Sequence, residues 1–170
     1  VLAAGKGSRL QSEAAELPKV LRRAGGKPLI GYVLGSLGFI APQDTVIVTG
    51  FMKEKVMQEL GESYRYCVQE PQRGTGHAVS CAAPLLAGYG GDVLIAYGDM
   101  PLFRRETFEA IIAKHRESGA DCTLLTAQVE NPPAYGRILR GEAGKVSGIV
   151  EDKDCTPAQK AITELNVGIY

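Results

Sequence analysis

The chain has 170 residues, of which 45% are hydrophobic and 22% are charged, and its net charge is zero. This composition is typical of one globular domain with a buried core, and it gives no support for nucleic-acid binding, which usually requires an excess of positive charge. No apolar run approaches the ~18 residues of a membrane-spanning helix, so we expect no membrane partner.

Four widely spaced cysteines form no CxxC pair, so neither a zinc ribbon nor a redox motif is predicted. They are Cys67, Cys81, Cys122 and Cys155. Scattered thiols of this kind are typical of a reducing compartment, and we expect a cytoplasmic protein.

Both ends of the sequence look cut. The opening segment VLAA is typical of the back half of a buried strand, and the closing segment LNVGIY resembles a strand that has barely begun. We therefore expect residues 1–170 to be one domain of a longer polypeptide, truncated at both ends.

Strand and helix patterns alternate along the chain. Continuous apolar or β-branched runs predict strands, in chain order, at residues 1–4, 45–49, 64–69, 92–97 and 122–129. Apolar side chains recur at helical spacing over 29–37 and 108–115, and Gly119 is placed to end the second helix. This alternation predicts an α/β fold with a mixed, mostly parallel sheet and helices on both faces.

The last third of the sequence has closely spaced strand patterns at 136–140 and 145–151, which suggest an antiparallel region. Thr156, Pro157 and Gln159 then form a capping box with proline at the first helical position. A short helix is therefore predicted before the final strand.

Three glycine-marked loops follow predicted strands: GKGSR at 5–9, EPQRGTGHA at 70–78 and GDMPL at 98–102. Ligands of open α/β sheets bind beyond the carboxyl ends of the strands, so we expect these loops to converge at one edge.

In the first loop, Gly5 and Gly7 would let backbone amides approach an anion, and Lys6 and Arg9 would add positive charge. The sequence here matches neither the Walker A motif nor GxGxxG. An exposed glycine turn with solvated charges is the alternative interpretation.

Two charged residues stand out beside these loops. Lys19 lies among apolar neighbours after Pro18, where it could neutralise a phosphate, although a surface lysine at a helix start is the alternative. Asp99 follows a predicted buried strand, where a carboxylate can hold Mg²⁺ against a substrate phosphate; the alternative is a turn-capping aspartate before Pro101.

The middle loop carries candidate base-recognition groups. Gln69 has an amide that can pair both ways with a uracil edge, and Gly74 and Thr75 could present backbone groups to a base. His77 is interpreted as a structural helix residue because no Ser or Cys partner is evident, and His115 as a packing residue on an apolar stripe.

Eight segments together carry a family resemblance: LAAGKGSR, LPKVL, GKPLI, QRGTGHA, YGDMPL, YGRILR, GKVSGIVEDKD and ELNVGIY. In this order they resemble the sugar-phosphate nucleotidyltransferases, and among them the N-terminal uridylyltransferase domain of bacterial UDP-N-acetylglucosamine pyrophosphorylases. The resemblance covers the whole chain and implies a Rossmann-like nucleotidyltransferase fold.

The resemblance implies roles at the matching positions. Those whose backbone would cradle the nucleotide are Leu2, Ala3, Ala4 and Gly5. Those that would recognise uracil are Gln69, Gly74 and Thr75. Those that would line the ribose and metal region are Tyr97, Gly98 and Asp99, with Asp99 as a Mg²⁺ ligand.

By the same resemblance, Arg9 would bind the phosphates that leave as pyrophosphate, and Lys19 would hold the phosphate at the reacting centre. The residues that would hold N-acetylglucosamine are Gly136, Glu151 and Asn166. Asp152 stands where the family often has histidine. The family's second magnesium ligand, an asparagine, lies beyond position 170, as does an acetyltransferase module through which a homo-oligomer would form.

The implied activity is transfer of UMP from UTP to N-acetylglucosamine 1-phosphate, a step of peptidoglycan precursor synthesis for the cell wall. Two alternatives stay open at this point. One is a related transferase acting on a sugar phosphate or molybdopterin with another nucleotide, and the other is a nucleotide-sugar-binding domain without turnover.

Overall fold

The structure is a computed structural model that describes residues 1–5, 7 and 16–170. It comprises two compact units, Val1–Ile112 and Ala113–Tyr170. Among the described residues, the strands are β1 (Leu2–Ala3), β2 (Arg23–Ala24), β3 (Lys27–Pro28), β4 (Val46–Thr49), β5 (Arg65–Val68), β6 (Thr126–Gln128), β7 (Arg137–Arg140), β8 (Val146–Val150) and β9 (Glu164–Asn166). The α-helices are α1 (Leu29–Ser36), α2 (Lys53–Leu60), α3 (Thr75–Ala82), α4 (Arg105–Ser118) and α5 (Pro157–Lys160).

The first unit is built on a parallel sheet with strand order β1-β4-β5. Leu2 of β1 pairs with Val48 on one side and forms a parallel bridge with Tyr97 on the other. The amide of Leu2 donates to the carbonyl of Ala96 at 2.8 Å, and the amide of Gly98 donates to the carbonyl of Leu2 at 2.9 Å. β1 therefore lies between β4 and the segment that ends at residue 98.

The strand predicted at 92–97 is shorter than expected. Its residues run without regular strand pairing until Ala96 and Tyr97, and Tyr97 forms a parallel bridge with Leu2. The prediction was right about where the segment joins the sheet and wrong about the length of the strand.

The parallel sheet has an apolar core on each face. Side chains alternate across a strand, so Ile47 and Val48 of β4 point to opposite faces. Ile47 packs with Ile30 of α1 and Val56 of α2, whereas Val48 packs in a separate cluster with Ala78 of α3. This arrangement confirms the predicted α/β class with helices on both faces.

Helix boundaries follow the local signals of the sequence. The helix predicted over 29–37 is α1, and the one predicted over 108–115 is part of the longer α4. Gly119 adopts a left-handed conformation with φ +60°, as expected of a residue that ends a helix. None of the helices in the described part of the chain combines the length and apolar character needed to cross a bilayer.

The second unit is an antiparallel sheet with strand order β6-β9-β7-β8. The predicted antiparallel pairing of the segments at 136–140 and 145–151 is confirmed as β7 and β8. The capping box of α5 is also confirmed, with the Thr156 side chain accepting from the Gln159 amide. The run predicted as a strand over 122–129 forms strand structure only over Thr126–Gln128, the part that pairs with β9.

A buried arginine organises this unit. Arg137 is 2% exposed, and its guanidinium donates to the carbonyls of Pro133, Tyr135 and Lys160. It also donates to Oδ1 of Asp152 at 3.2 Å. Asp152 is thus the ion-pair partner of a buried cation.

A second ion pair in this unit predicts a dependence of stability on pH. Arg140 donates to both carboxylate oxygens of Glu164, at 2.7 and 2.6 Å. The Arg140 guanidinium, helped by a hydrogen bond from Thr126, holds the pKa of Glu164 below its ordinary value. A lowered folded-state pKa stabilises the protein above the unfolded pKa of about 4.3, and the contribution is lost as pH falls through the folded value.

We therefore expect the stability advantage of the natural protein over its Glu164→Gln variant to shrink as pH falls from 6 to 3. Urea unfolding at each pH measures the difference. Glu130→Gln, which changes an exposed carboxylate, is the control. A difference between wild type and Glu164→Gln that stays constant over this range would contradict the prediction.

Candidate functional site

A cleft of about 410 Å³ opens at the carboxyl ends of the parallel strands in the first unit. The three loops that the sequence singled out all contribute to its wall. Its described lining residues are Leu2, Ala3, Ala4, Gly5, Gly7, Lys19, Val20, Gln69, Gln72, Gly74, Thr75, Ala78, Tyr97 and Asp99. Every predicted nucleotide-binding residue lies in this lining except Gly98, which sits between Tyr97 and Asp99.

The first wall of the cleft is bare backbone. Gly5 is exposed and a Cβ built on it would meet no atom within 4 Å, while Gly7 adopts φ +64°, a conformation that glycine takes without strain. The absence of side chains at Gly5 and Gly7 leaves the main chain there accessible to a ligand. Arg9, predicted to bind the leaving phosphates, lies outside the described residues, as does Lys6.

Lys19 and Asp99 face each other across the cleft and form an ion pair between Nζ and Oδ2. Lys19 belongs to a short 3₁₀ turn, Lys19–Leu21, whose Val20 and Leu21 are buried in the core. The buried neighbours hold the lysine at the rim, where its side chain stays 36% exposed and that of Asp99 24%. Both side chains line the cleft, and their roles toward a ligand stay predictions.

Asp99 is the one carboxylate among the described residues that line the cleft. No group of three or more His, Cys, Asp or Glu side chains suited to a metal occurs within residues 1–5, 7 and 16–170. Magnesium is commonly bound by one or two carboxylates together with substrate phosphates and water. A single, partly exposed carboxylate fits an ion that arrives with a nucleotide and does not fit a metal site made of protein ligands alone.

Gln69 lies at the other end of the cleft and is almost fully buried, with 3% of its surface exposed. Its backbone amide extends the β4–β5 pairing by donating to the Thr49 carbonyl at 2.7 Å. Its side-chain Nε2 donates to the carbonyl of Gly74 at 2.8 Å. Gly74 has φ +90° and is the N-cap of α3, so the glutamine and the start of that helix are joined.

The hydroxyl of Tyr97 donates to Oγ1 of Thr75 at 3.3 Å, which connects the loop at 70–78 to the residue just before the loop at 98–102. A Cβ on Gly98 would lie 3.2 Å from the Leu2 carbonyl oxygen and 3.3 Å from Ile30. Glycine at position 98 therefore permits the close approach that aligns Tyr97 and Asp99 with β1.

The interpretation of His77 changes with the structure. Nδ1 of His77 lies 3.2 Å from Nε2 of Gln69, and Nε2 of His77 lies 3.8 Å from Sγ of Cys81. No cysteine partner was evident from the sequence, and the structure places Cys81 beside His77 on the next turn of α3. The i,i+4 spacing of the two residues is the sequence signal that could have found it.

The three residues predicted to hold the sugar lie together in the second unit. The Asn166 amide donates to the Gly136 carbonyl at 2.8 Å, and a Cβ on Gly136 would come within 3.5 Å of Asn166 Cβ. Continuing the register in which Arg137 opposes Val150 places Glu151, which is exposed, opposite Gly136. The side chain of Asn166 is 8% exposed and bonds to the Tyr170 hydroxyl and the Gly168 amide.

Residues 1–158 match the family model of the MobA-like NTP transferase domain. The chain belongs to this family. 

Among curated relatives, the chain is 45% identical to the bifunctional protein GlmU of Synechococcus sp. strain CC9605 and 46% identical to that of Pelobacter propionicus, each over 172 aligned residues. It is 45% identical to the bifunctional protein GlmU of Brevibacillus brevis over 170 residues. All of the chain is covered in each alignment, but only 38%, 37% and 36% of the respective relatives. The chain thus spans a little over a third of the length of these relatives.

Solved structures agree on the fold. A crystal structure of a Bacillus anthracis protein assigned as a glucose-1-phosphate thymidylyltransferase superposes with a TM-score of 0.75 at 24% identity, covering 99% of this chain and 68% of that one. Apo UDP-glucose pyrophosphorylase superposes with a TM-score of 0.70 at 20% identity, covering 99% of this chain and 74% of that one. The fold is therefore the nucleotidyltransferase fold that the resemblance implied.

Sequence reasoning missed part of the NTP transferase cleft. Gln72 lines it and also lines a neighbouring cavity of about 370 Å³, together with Gly50 and Phe51. Gln72 lies in the loop that had been singled out, so its polar amide was an available signal. No sequence signal marked Gly50. A Cβ at this position would come within 2.9 Å of the Ala4 carbonyl oxygen, and this close approach is visible only in the folded chain.

Proposed function

We propose that this NTP transferase domain transfers UMP from UTP to N-acetylglucosamine 1-phosphate, giving UDP-N-acetylglucosamine and pyrophosphate for cell-wall precursor synthesis. The single observation that carries the proposal is the shared cleft, in which bare backbone, Lys19 and Asp99 surround one volume of about 410 Å³. The choice of base and sugar is supported by the 45–46% identity to the GlmU proteins over the whole chain.

The proposed reaction is an in-line displacement at phosphorus. A phosphate oxygen of the sugar phosphate forms a bond to the α-phosphorus of UTP, and the bond from that phosphorus to the α,β-bridging oxygen breaks. Its electron pair leaves with pyrophosphate. The nucleophile is already an anion at neutral pH, so the protein needs no general base, and the chemistry depends on positioning and charge neutralisation.

The chain's own residues divide this work. The backbone of residues 2–5 cradles the nucleotide, and the Lys19 ammonium stabilises the negative charge that builds up at the α-phosphate. Arg9 binds the departing phosphates. Bringing a phosphate into the cleft requires Lys19 to share its hydrogen bonds between Asp99 and the ligand, which its three donors allow.

We propose Mg²⁺ as the cofactor, with Asp99 as the ligand that this chain supplies. The ion, when bound, neutralises phosphate charge as a Lewis acid. Asp99 is suited to this role because it is the carboxylate of the cleft and keeps part of its surface open.

The base and the sugar are assigned to different parts of the chain. Gln69, Gly74 and Thr75 recognise uracil in the cleft. Gly136, Glu151 and Asn166 hold N-acetylglucosamine, with the hydroxyl groups of the sugar bonding to the Glu151 carboxylate. We place the activity in the cytoplasm, in keeping with four cysteines that are all free thiols.

A ligand panel tests the proposal in the full-length protein. We expect UTP with Mg²⁺ to raise the unfolding temperature more than CTP, GTP or ATP at equal concentration, because only ligands that bind the folded state stabilise it. We also expect pyrophosphate release that depends on both UTP and N-acetylglucosamine 1-phosphate. A larger shift with another nucleotide would favour a related transferase, and tight binding of UDP-N-acetylglucosamine without pyrophosphate release would favour a binding domain.

A further inference from the structure

The Gln69 amide has one orientation that its neighbours permit. Nε2 lies 2.8 Å from the Gly74 carbonyl oxygen, so exchanging the amide nitrogen and oxygen would place two acceptors in contact. That carbonyl also accepts the Ala78 amide at 3.2 Å as part of the first turn of α3, so it cannot turn away. One hydrogen of Nε2 is therefore committed to Gly74.

The second hydrogen of Nε2 goes to His77. Because Nε2 of Gln69 is a donor, Nδ1 of His77, 3.2 Å away, is the acceptor of the bond. The neutral imidazole then carries its proton on Nε2, which faces the Cys81 sulfur at 3.8 Å. His77 thus links the glutamine to the body of α3 through a defined tautomer.

These two bonds use both donors of the Gln69 amide and leave Oε1 as an acceptor. Within the described part of the chain, Oε1 makes no hydrogen bond, although the residue is 97% buried and lines the cleft. Because Gln69 lines the cleft, this acceptor is available to a donor of a bound ligand. Uracil carries an N3–H donor on its pairing edge, whereas the corresponding N3 of cytosine is an acceptor.

We propose that His77 is a positioning residue that acts together with the Gly74 carbonyl to hold Gln69 with Oε1 as its free acceptor, and thereby selects a pyrimidine base with an N3–H group over cytosine. The inference rests on the proposed function and deepens it, because it assigns the choice between UTP and CTP to a histidine that touches neither nucleotide. It also replaces the expected two-way pairing of Gln69 with a uracil edge, since both Nε2 hydrogens are already used.

Steady-state kinetics of the full-length protein test the assignment, with UTP and CTP compared at a fixed concentration of N-acetylglucosamine 1-phosphate. His77→Ala is expected to lower the UTP-to-CTP ratio of kcat/KM by about tenfold, the size of one hydrogen bond of roughly 1.4 kcal/mol. The loss should appear in KM for UTP rather than in kcat. His77→Asn should restore most of the ratio because its Oδ1 can accept near the position of Nδ1.

Cys81→Ala is the matched control on the same helix, and it should leave the ratio within about twofold because the sulfur contact is weak. The proposal is overturned if wild type prefers UTP and His77→Ala keeps that preference, or if it lowers kcat equally for both nucleotides. It is also overturned if His77→Asn does no better than His77→Ala.

Nitrogen-15 NMR of the wild-type histidine side chains gives a second measurement that no misfolded variant can obscure. A His77 ring protonated on Nε2 alone supports the assignment, and a ring protonated on Nδ1 overturns it. Failure of the proposed function is distinguishable: wild type would then show no pyrophosphate release with UTP, while the His77 tautomer would still report whether the ring accepts from Gln69.

Discussion

Replacing Lys19 or Asp99 with alanine in the full-length protein is expected to lower UTP-dependent pyrophosphate release by about 10²–10³-fold. The two side chains form an ion pair in the cleft, and we propose that Lys19 neutralises a phosphate and that Asp99 holds a cation. We expect these two residues to stabilise the transition state more than the bound substrate, because negative charge on the phosphate oxygens redistributes as the bond to pyrophosphate breaks. The substitutions should therefore lower kcat more than they raise KM.

The ion pair between them requires a control for a purely structural effect. Removing either partner leaves the other charge without its partner, so part of any loss could come from rearrangement of the cleft. Unfolding temperature separates the two causes, and Arg23→Ala, which breaks an exposed ion pair with Glu59 in the same unit, is the matched control. Near-normal turnover in both Lys19→Ala and Asp99→Ala would end the proposed mechanism.

Arg137→Ala is expected to destabilise the second unit by about 3–5 kcal/mol, the usual cost of removing one partner from a buried, hydrogen-bonded ion pair. The guanidinium satisfies carbonyl groups of Pro133, Tyr135 and Lys160 as well as Asp152, and truncation would leave them without these donors. Hydrogen exchange of the β7 and β8 amides in the full-length protein measures the change in opening free energy.

Arg137→Lys should rescue little of this loss because an ammonium cannot reproduce the planar fork of donors. Lys114→Ala is the surface control, since Lys114 pairs with Glu117 where both side chains are mostly exposed; we expect a change below about 0.5 kcal/mol. Equal exchange rates in wild type and Arg137→Ala would contradict a central role for this arginine.

The sequence predicted those parts of the fold that depend on local signals. Gly119 and Thr156 mark helix ends through backbone conformation and capping, and both lie where expected. The strand predicted at 92–97 was too long, because strand pairing depends on neighbouring segments and here occurs only at Ala96 and Tyr97. The hairpin of β2 and β3 was not predicted because it lacks apolar periodicity. Helix α2 was also not predicted, although Val56 and Leu60 lie one turn apart and were an available signal.

For the candidate site, the sequence predicted which residues lie in the cleft better than it predicted which of their side chains contact each other. The rule that ligands bind beyond strand ends was enough to bring Gly5, Lys19, Gly74 and Asp99 to one cleft. It could not show that Lys19 and Asp99 pair with each other, because they are 80 residues apart in the chain. Nor could it show that Gln69 directs its side-chain amide nitrogen to Gly74 and His77, because those contacts depend on distances in the folded chain.

The hydrogen bonds that hold β1 between β4 and Gly98 have a thermodynamic consequence. They immobilise the main chain around residues 2–5 and the turn that carries Asp99 when the sheet forms. The conformational entropy of ordering these groups is lost during folding and does not have to be lost again when an anion arrives. Part of the affinity for a polyphosphate is therefore already set when β1 pairs with its neighbours during folding.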